Sequence, residues 1–462
     1  MTNALTTSNH GNDQLTLRAR FDRSFVWKQG NSVRYLLVDI SAPEAERADG
    51  VIDQPLNIAL VIDRSGSMSG VPLAAAKQAA DGVVQSLSAS DHLSLVSFDH
   101  SVEVHAMSVR MDEEGKARLR REISALSCGG TTDLCAGWLE GARCVAAGME
   151  AAPNALHRVV LLSDGHANQG IVDARELAGH ARELRDRGLY TSTVGIGDNY
   201  STAQIQTIAE HGGGRLHDAE RPEEIIEVVV AELREVLMTT AEDVTLSVSY
   251  PPQMQVEVLG TYPVVTDAVG TTCSVGPMLG GASRQIVFKT TSPSGKPGAG
   301  LAFNIHASWK EPGSNAVRRT DPLEIALTYA PADMNTGQER DMSVSQDVAT
   351  IWHAFLVQQV ASMNEEGRLA EARDFIGFQL KYFERYCEGL AGTTSLVAQL
   401  HQVASVSQQQ WSPRAAKEIY VRHHKGSRKQ ADHRSAKRAD WDEYLPKHVG
   451  DSKPGDRHSP HP

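Results

Sequence analysis

Asp63, Ser65 and Ser67 stand at alternate positions in the segment Asn57 to Gly70 (NIALVIDRSGSMSG), where an apolar run stops abruptly in oxygen-bearing side chains. Two hydroxyls and one carboxylate are hard donors of low total charge. Such a set suits an octahedral Mg²⁺ that keeps several of its waters, with Mn²⁺ or Ca²⁺ as alternatives, whereas thiolates or imidazoles would point to zinc. Taken alone, the triplet also fits a helix cap or a tight turn.

The elements around it say where such a site would lie. Asn57 to Ile62 reads as a strand buried on both faces, and a turn rich in glycine and serine leaves its carboxyl end. A helix follows, with Pro72 in its first turn and Val83, Val84 and Leu87 at helical spacing. His157 to Ser163 (HRVVLLS) is a second buried run, and it ends in Asp164-Gly165. Between the two runs, Gly129-Gly130-Thr131-Thr132-Asp133 presents hydroxyls just before another helix. In an open parallel sheet, ligands bind beyond the carboxyl ends of the strands at a topological switch point.

These pieces, D-x-S-x-S, then G-G-[ST]-T, then L-[ST]-D-G, resemble the von Willebrand factor A domain over about Leu56 to Met238. The resemblance implies a doubly wound, mostly parallel, Rossmann-like α/β sheet bearing a metal-ion-dependent adhesion site. Matched residue by residue, it puts Ser65, Ser67 and Thr132 on the metal directly or through water, with Asp63 and Asp164 acting largely through water. Thr132 is the matching threonine rather than Thr131, because the family's threonine directly precedes an Asn or Asp and then an apolar residue. The implied function is binding: an open coordination position on Mg²⁺ accepts an Asp or Glu carboxylate from a protein partner. Direct threonine coordination accompanies the family's high-affinity arrangement, so movement of the Thr132 loop would change affinity.

Alternating strand and helix patterns complete the domain of residues 56–238. Strands are expected at His92 to Phe98, Tyr190 to Ile196 and Arg215 to His217, with Val102 to Val109 as an antiparallel edge. Helices are expected at Glu113 to Leu126, Leu134 to Met149, Asp173 to Arg187, Thr202 to His211 and Pro222 to Leu237. Residues 14–50 and 243–330 instead alternate with a period of two, as in Leu15, Leu17, Ala19, Phe21 and Val244, Leu246, Val248, Tyr250. The simplest architecture is an antiparallel β-sandwich with the α/β domain inserted between its halves, two separate small domains being the alternative. That split resembles bacterial von Willebrand A proteins and, loosely, inter-alpha-trypsin inhibitor heavy chains. Residues 341–410 read as a helical region whose amphipathic hairpin packs against the sandwich. Residues 1–13 and the basic, His-rich tail 423–462 read as disordered.

Composition narrows the function classes. A chain of 462 residues exceeds one core and predicts two or three domains. A net charge of −12 opposes nonspecific nucleic-acid binding by the main body, leaving only the basic tail open to it. Apolar runs fall short of the roughly 18 residues a membrane span needs, and Met1 to Gln14 has no apolar signal core, so a cytoplasmic location is expected. Five scattered cysteines do not make a disulfide framework. Neither a phosphate loop nor a nucleophile elbow occurs, so no enzyme is expected. A strand-end Asp63 has the address of a phosphatase nucleophile, but such enzymes need a second carboxylate two residues on, where Ser65 stands. The competing class is a scaffold, or an accessory factor for an AAA-type ATPase or stress-response system, with a purely structural metal.

Overall fold

The computed structural model describes residues 6–8, 14–43, 55–150, 152, 155–164, 169–196, 202–219, 238–260, 262–312, 314 and 316–411. The helix expected over Pro222 to Leu237, the basic tail, and Gly165 and His166 lie outside the described residues.

Leu56–Asp63 is a strand with all eight residues buried, because helices cover both of its faces. Ile58, Leu60 and Ile62 pack against the Val71–Ser86 and Glu113–Ala125 helices. Ala59 and Val61 point the other way, toward the Leu134–Met149 helix. Gly141 of that helix lets it lie close, since a Cβ there would come 2.2 Å from Val61 Cγ2.

The six-stranded sheet runs in the order Gly213–Ala219, Tyr190–Ile196, Leu156–Ser163, Leu56–Asp63, His92–Phe98, Val102–Arg110. The first five strands are parallel and the last is antiparallel. From Leu56–Asp63 the chain winds outward to one side, then returns to build the other side starting at Leu156–Ser163. The topological switch point therefore lies between the strands that end at Asp63 and Ser163. The Gly213–Ala219 strand is longer than the expected Arg215 to His217, with a register shift between Gly213 and Leu216.

Two further sheets each mix strands from both sides of this unit. A five-stranded sheet runs Thr6–Ser8, Thr16–Phe21, Val33–Ser41, Ser283–Thr291, Gln255–Leu259. A seven-stranded sheet runs Val264–Thr266, Gly270–Leu279, Thr239–Ser249, Gly300–Lys310, Leu323–Ala330, Phe25–Trp27, with Val317–Arg319 paired beside Gly300–Lys310. Leu17, Ala19 and Phe21 from before the α/β unit share one core with Leu246, Val248 and Phe303 from after it. Two features depart from expectation. Thr6–Ser8, inside the stretch read as disordered, pairs with Thr16–Phe21, and Phe25–Trp27 joins its sheet in parallel.

The Met342–Glu365 and Leu369–Cys387 helices form the expected hairpin, turned by Gly367 at φ +73°, and Thr394–Val406 follows. Their apolar faces pack on the outer side of the five-stranded sheet, against Tyr35, Leu37 and Val287. The α/β unit is tied to the sandwich by buried charge: Arg158 of the Ser163 strand pairs with Glu242 and lies 4.3 Å over the Tyr190 ring.

Candidate metal centre

Asp63 closes its strand wholly buried, and its two oxygens have different partners. Oδ2 accepts from Ser163 Oγ on the neighbouring strand at 2.6 Å, and Oδ1 accepts from the Ser65 backbone N–H at 2.8 Å. The second bond folds the chain into an Asx-type turn, which Gly66–Met68 extends as one turn of 3₁₀ helix. Ser65 Oγ then lies 3.1 Å from Ser67 Oγ, and Ser67 Oγ donates to Asp164 Oδ1 at 2.8 Å. A continuous polar chain thus links Asp63, Ser65, Ser67 and Asp164 across the ends of two adjacent strands.

The Thr132 loop docks on this turn through backbone bonds. Gly66 N–H donates to the Gly130 carbonyl at 2.9 Å, and Gly129 N–H donates to the Arg64 carbonyl at 2.7 Å. Thr132 is buried, whereas Thr131 is exposed and its hydroxyl donates to Gln169 Oε1 at 2.8 Å. Asp133 follows as the N-cap of the Leu134–Met149 helix, accepting from Ala136 N–H at 3.0 Å. A cap of this kind contributes about 1 kcal/mol and holds the loop's exit.

Asp99 belongs to the site's support and was not singled out from sequence. It follows the His92–Phe98 strand, as Asp164 follows its own, but reads as a plain turn residue. Its Oδ1 accepts from Ser101 N–H and Oγ at 2.8 and 2.9 Å, its Oδ2 accepts from Gly130 N–H at 3.2 Å, and Arg64 Nη2 lies 3.5 Å away. Burial works against the charge, but these bonds and the Arg64 guanidinium outweigh it and hold the carboxyl below its usual range. Gly129 is required by this contact, since a Cβ there would come 1.6 Å from Asp99 Oδ2.

Electrostatically, two carboxylates face a site with hydroxyls between them. Burial pushes the Asp63 carboxyl up, against hydrogen bonds from Ser163 and Ser65. Asp164 is pushed up to about 6, first by burial and further by the Asp63 charge, against the bond from Ser67. Among the described residues, no group of three or more His, Cys, Asp or Glu side chains is placed to hold a metal. Any ion here would therefore draw on hydroxyls as well as carboxylates, a hard donor set of charge −2 that fits a divalent cation of the Mg²⁺ type. Cys128 and Cys135 flank the loop; Cys128 is exposed, while burial first, then Asp133 and Glu176, push the Cys135 thiol up to about 11.

Residues 57–229 match the family model of the von Willebrand factor type A domain, so the six-stranded unit is a domain of that type. Such domains generally serve as non-enzymatic protein-interaction modules. An uncharacterised protein of Synechocystis sp. is 31% identical over 172 residues, which is 37% of this chain and 39% of that protein. Human inter-alpha-trypsin inhibitor heavy chain H4 is 24% identical over 177 residues, covering 37% of this chain and 19% of its own length. The chain thus spans well under half of either relative. The solved structure of a von Willebrand factor type A protein from Catenulispora acidiphila superposes with TM-score 0.63 at 16% identity, covering 94% of this chain and 99% of that one, a likeness of fold. Among the described residues, no helix is long and apolar enough to cross a membrane.

Proposed function

We propose that the protein is a divalent-metal-dependent binding module that captures a carboxylate of a protein partner at a metal-ion-dependent adhesion site. One observation carries this reading: the hydrogen-bonded chain Asp63, Ser65, Ser67, Asp164 assembled at the switch point of the sheet. Ser65, Ser67 and Thr132 would hold the Mg²⁺ directly or through water, with Asp63 and Asp164 mainly through water. When bound, the ion supplies a Lewis-acidic position for a partner's Asp or Glu oxygen.

The chain's own residues set the rest. Asp63 is anchored by Ser163 and Ser65, so it orients the Ser65 turn instead of swinging toward solvent. Asp99 holds Gly130, and Arg64 and Gly66 hold the same loop, so a shift of the Thr132 backbone would have to loosen these bonds. In this reading residues 56–238 are the capturing head. The sandwich of 14–50 and 243–330, with the helices of 341–410, is the base that carries it.

The test is affinity capture from native lysate with and without Mg²⁺, using Asp63→Ala as control. Capture that needs both Mg²⁺ and Asp63 supports the reading. Capture that survives chelation while the melting temperature falls would instead assign the metal a structural role in a scaffold.

A further inference from the structure

A second concave site lies where the helical hairpin meets the five-stranded sheet. It is a half-open cleft of about 570 Å³, inside the range of roughly 300–1,000 Å³ usual for small-molecule sites. The deep wall is aromatic. Tyr35 packs on Tyr386 with ring centroids 4.7 Å apart, and Trp352 lies 5.6 Å from Tyr35 and 5.7 Å from Tyr386. Phe378 and Tyr382, one helical turn apart, pack at 5.0 Å yet stay 60% and 55% exposed. A large apolar pair left in water beside a cavity marks a contact surface.

The charged side chains that line the cavity are all cationic. Arg23, Lys289, Arg340 and Arg385 line it, and no Asp or Glu is among the described lining residues. Lys289 is engaged by Glu257 at 3.0 Å. Arg340 is fixed in place: Nη1 donates to the Tyr386 carbonyl at 2.8 Å and the guanidinium lies 4.3 Å over the Tyr386 ring. Its Nε and Nη2 are buried from solvent, so Arg340 lends the wall positive charge from behind its surface. Asp22 stands behind this wall, fully buried, with Oδ1 held by the Tyr35 N–H at 2.8 Å.

We propose that this cavity binds a small anion that carries a planar aromatic ring, the chemistry of a nucleoside phosphate. The ring would lie against Phe378 and Tyr382, and the anionic end against the exposed Arg385, with the Arg340 charge behind it. Guanidinium forks match phosphate oxygens, and aromatic faces accept any base without a sequence code. The volume fits a molecule of this size. The site shares no residue with the Asp63 cluster, so either assignment can fail alone.

Calorimetric titration of the full chain with adenosine diphosphate in EDTA tests the proposal, because chelation removes the divalent ion from the Asp63 site. Saturable one-to-one binding is expected, with adenosine alone and inorganic diphosphate each weaker by about tenfold or more. Arg385→Glu, and separately Phe378→Ala with Tyr382→Ala, should each weaken it by about tenfold. All three side chains are exposed, so the melting temperature should hold. The proposal is overturned by absence of saturation up to about 5 mM, by variants that bind as tightly as the parent chain, or by a poly-glutamate peptide binding where the nucleotide does not.

Discussion

Ser163 Oγ donates to Asp63 Oδ2 at 2.6 Å, joining residues one hundred positions apart across two neighbouring parallel strands. Both partners are fully buried. The bond sets the carboxylate's orientation before any ligand arrives, as outer partners do in metal sites generally.

Ser163→Ala should therefore lower Mg²⁺ affinity by about 10- to 100-fold. It should also cost roughly 1–3 kcal/mol of stability by leaving a buried oxygen without its donor. Calorimetric Mg²⁺ titration and urea unfolding of the same preparation read the two effects separately.

Gly129→Ala inserts a methyl where Asp99 Oδ2 now lies, 1.6 Å from the Cβ position. Asp99 or the loop must shift, and the Asp99 bond to Gly130 N–H is the first to be lost. The expected outcome is weakened ion binding with the fold retained. Unchanged affinity would show that the Thr132 loop does not need Asp99.

Arg158 and Glu242 form a buried ion pair between the α/β unit and the sandwich, at 5% and 3% exposure. Removing one partner strands the other charge, so Glu242→Leu should cost about 3–5 kcal/mol. The double variant Arg158→Met with Glu242→Leu should recover much of that loss, measured by denaturant unfolding.

His353 is buried at 3% exposure beside Phe383 of the neighbouring helix, and burial lowers its pKa from 6.5 to about 4. The unfolded chain therefore binds a proton between those values that the folded chain refuses. The stability contribution is fully present above pH 6.5 and is lost as pH falls toward about 4. Its size is about 3 kcal/mol by linkage. His353→Gln should flatten this limb relative to the parent chain in unfolding curves taken across that window.

The strands and helices of the α/β unit were legible because each carries its own period and its own punctuation. Asp63, Ser65 and Ser67 announce themselves within five residues, and Pro72 marks the next helix. The nearness of Asp63 and Asp164 followed from sheet topology, and the observed strand order has that topology. Asp99 escaped because its defining bond runs to Gly130, 31 residues on, and nothing local distinguishes it from a turn aspartate. The parallel pairing of Phe25–Trp27 with Leu323–Ala330 escaped for the same reason, since three residues carry too little pattern to name a distant partner. The cation-lined cavity has no linear signature, because it draws Arg23, Lys289 and Arg385 from three separate regions.

Equilibrium titration of the purified chain with Mg²⁺, alongside Asp63→Ala shown by circular dichroism to be folded, tests the central claim most directly. One saturable site is expected in the parent chain, and it should disappear in the variant. Equal binding by both proteins, or no saturable binding by the parent, would contradict it.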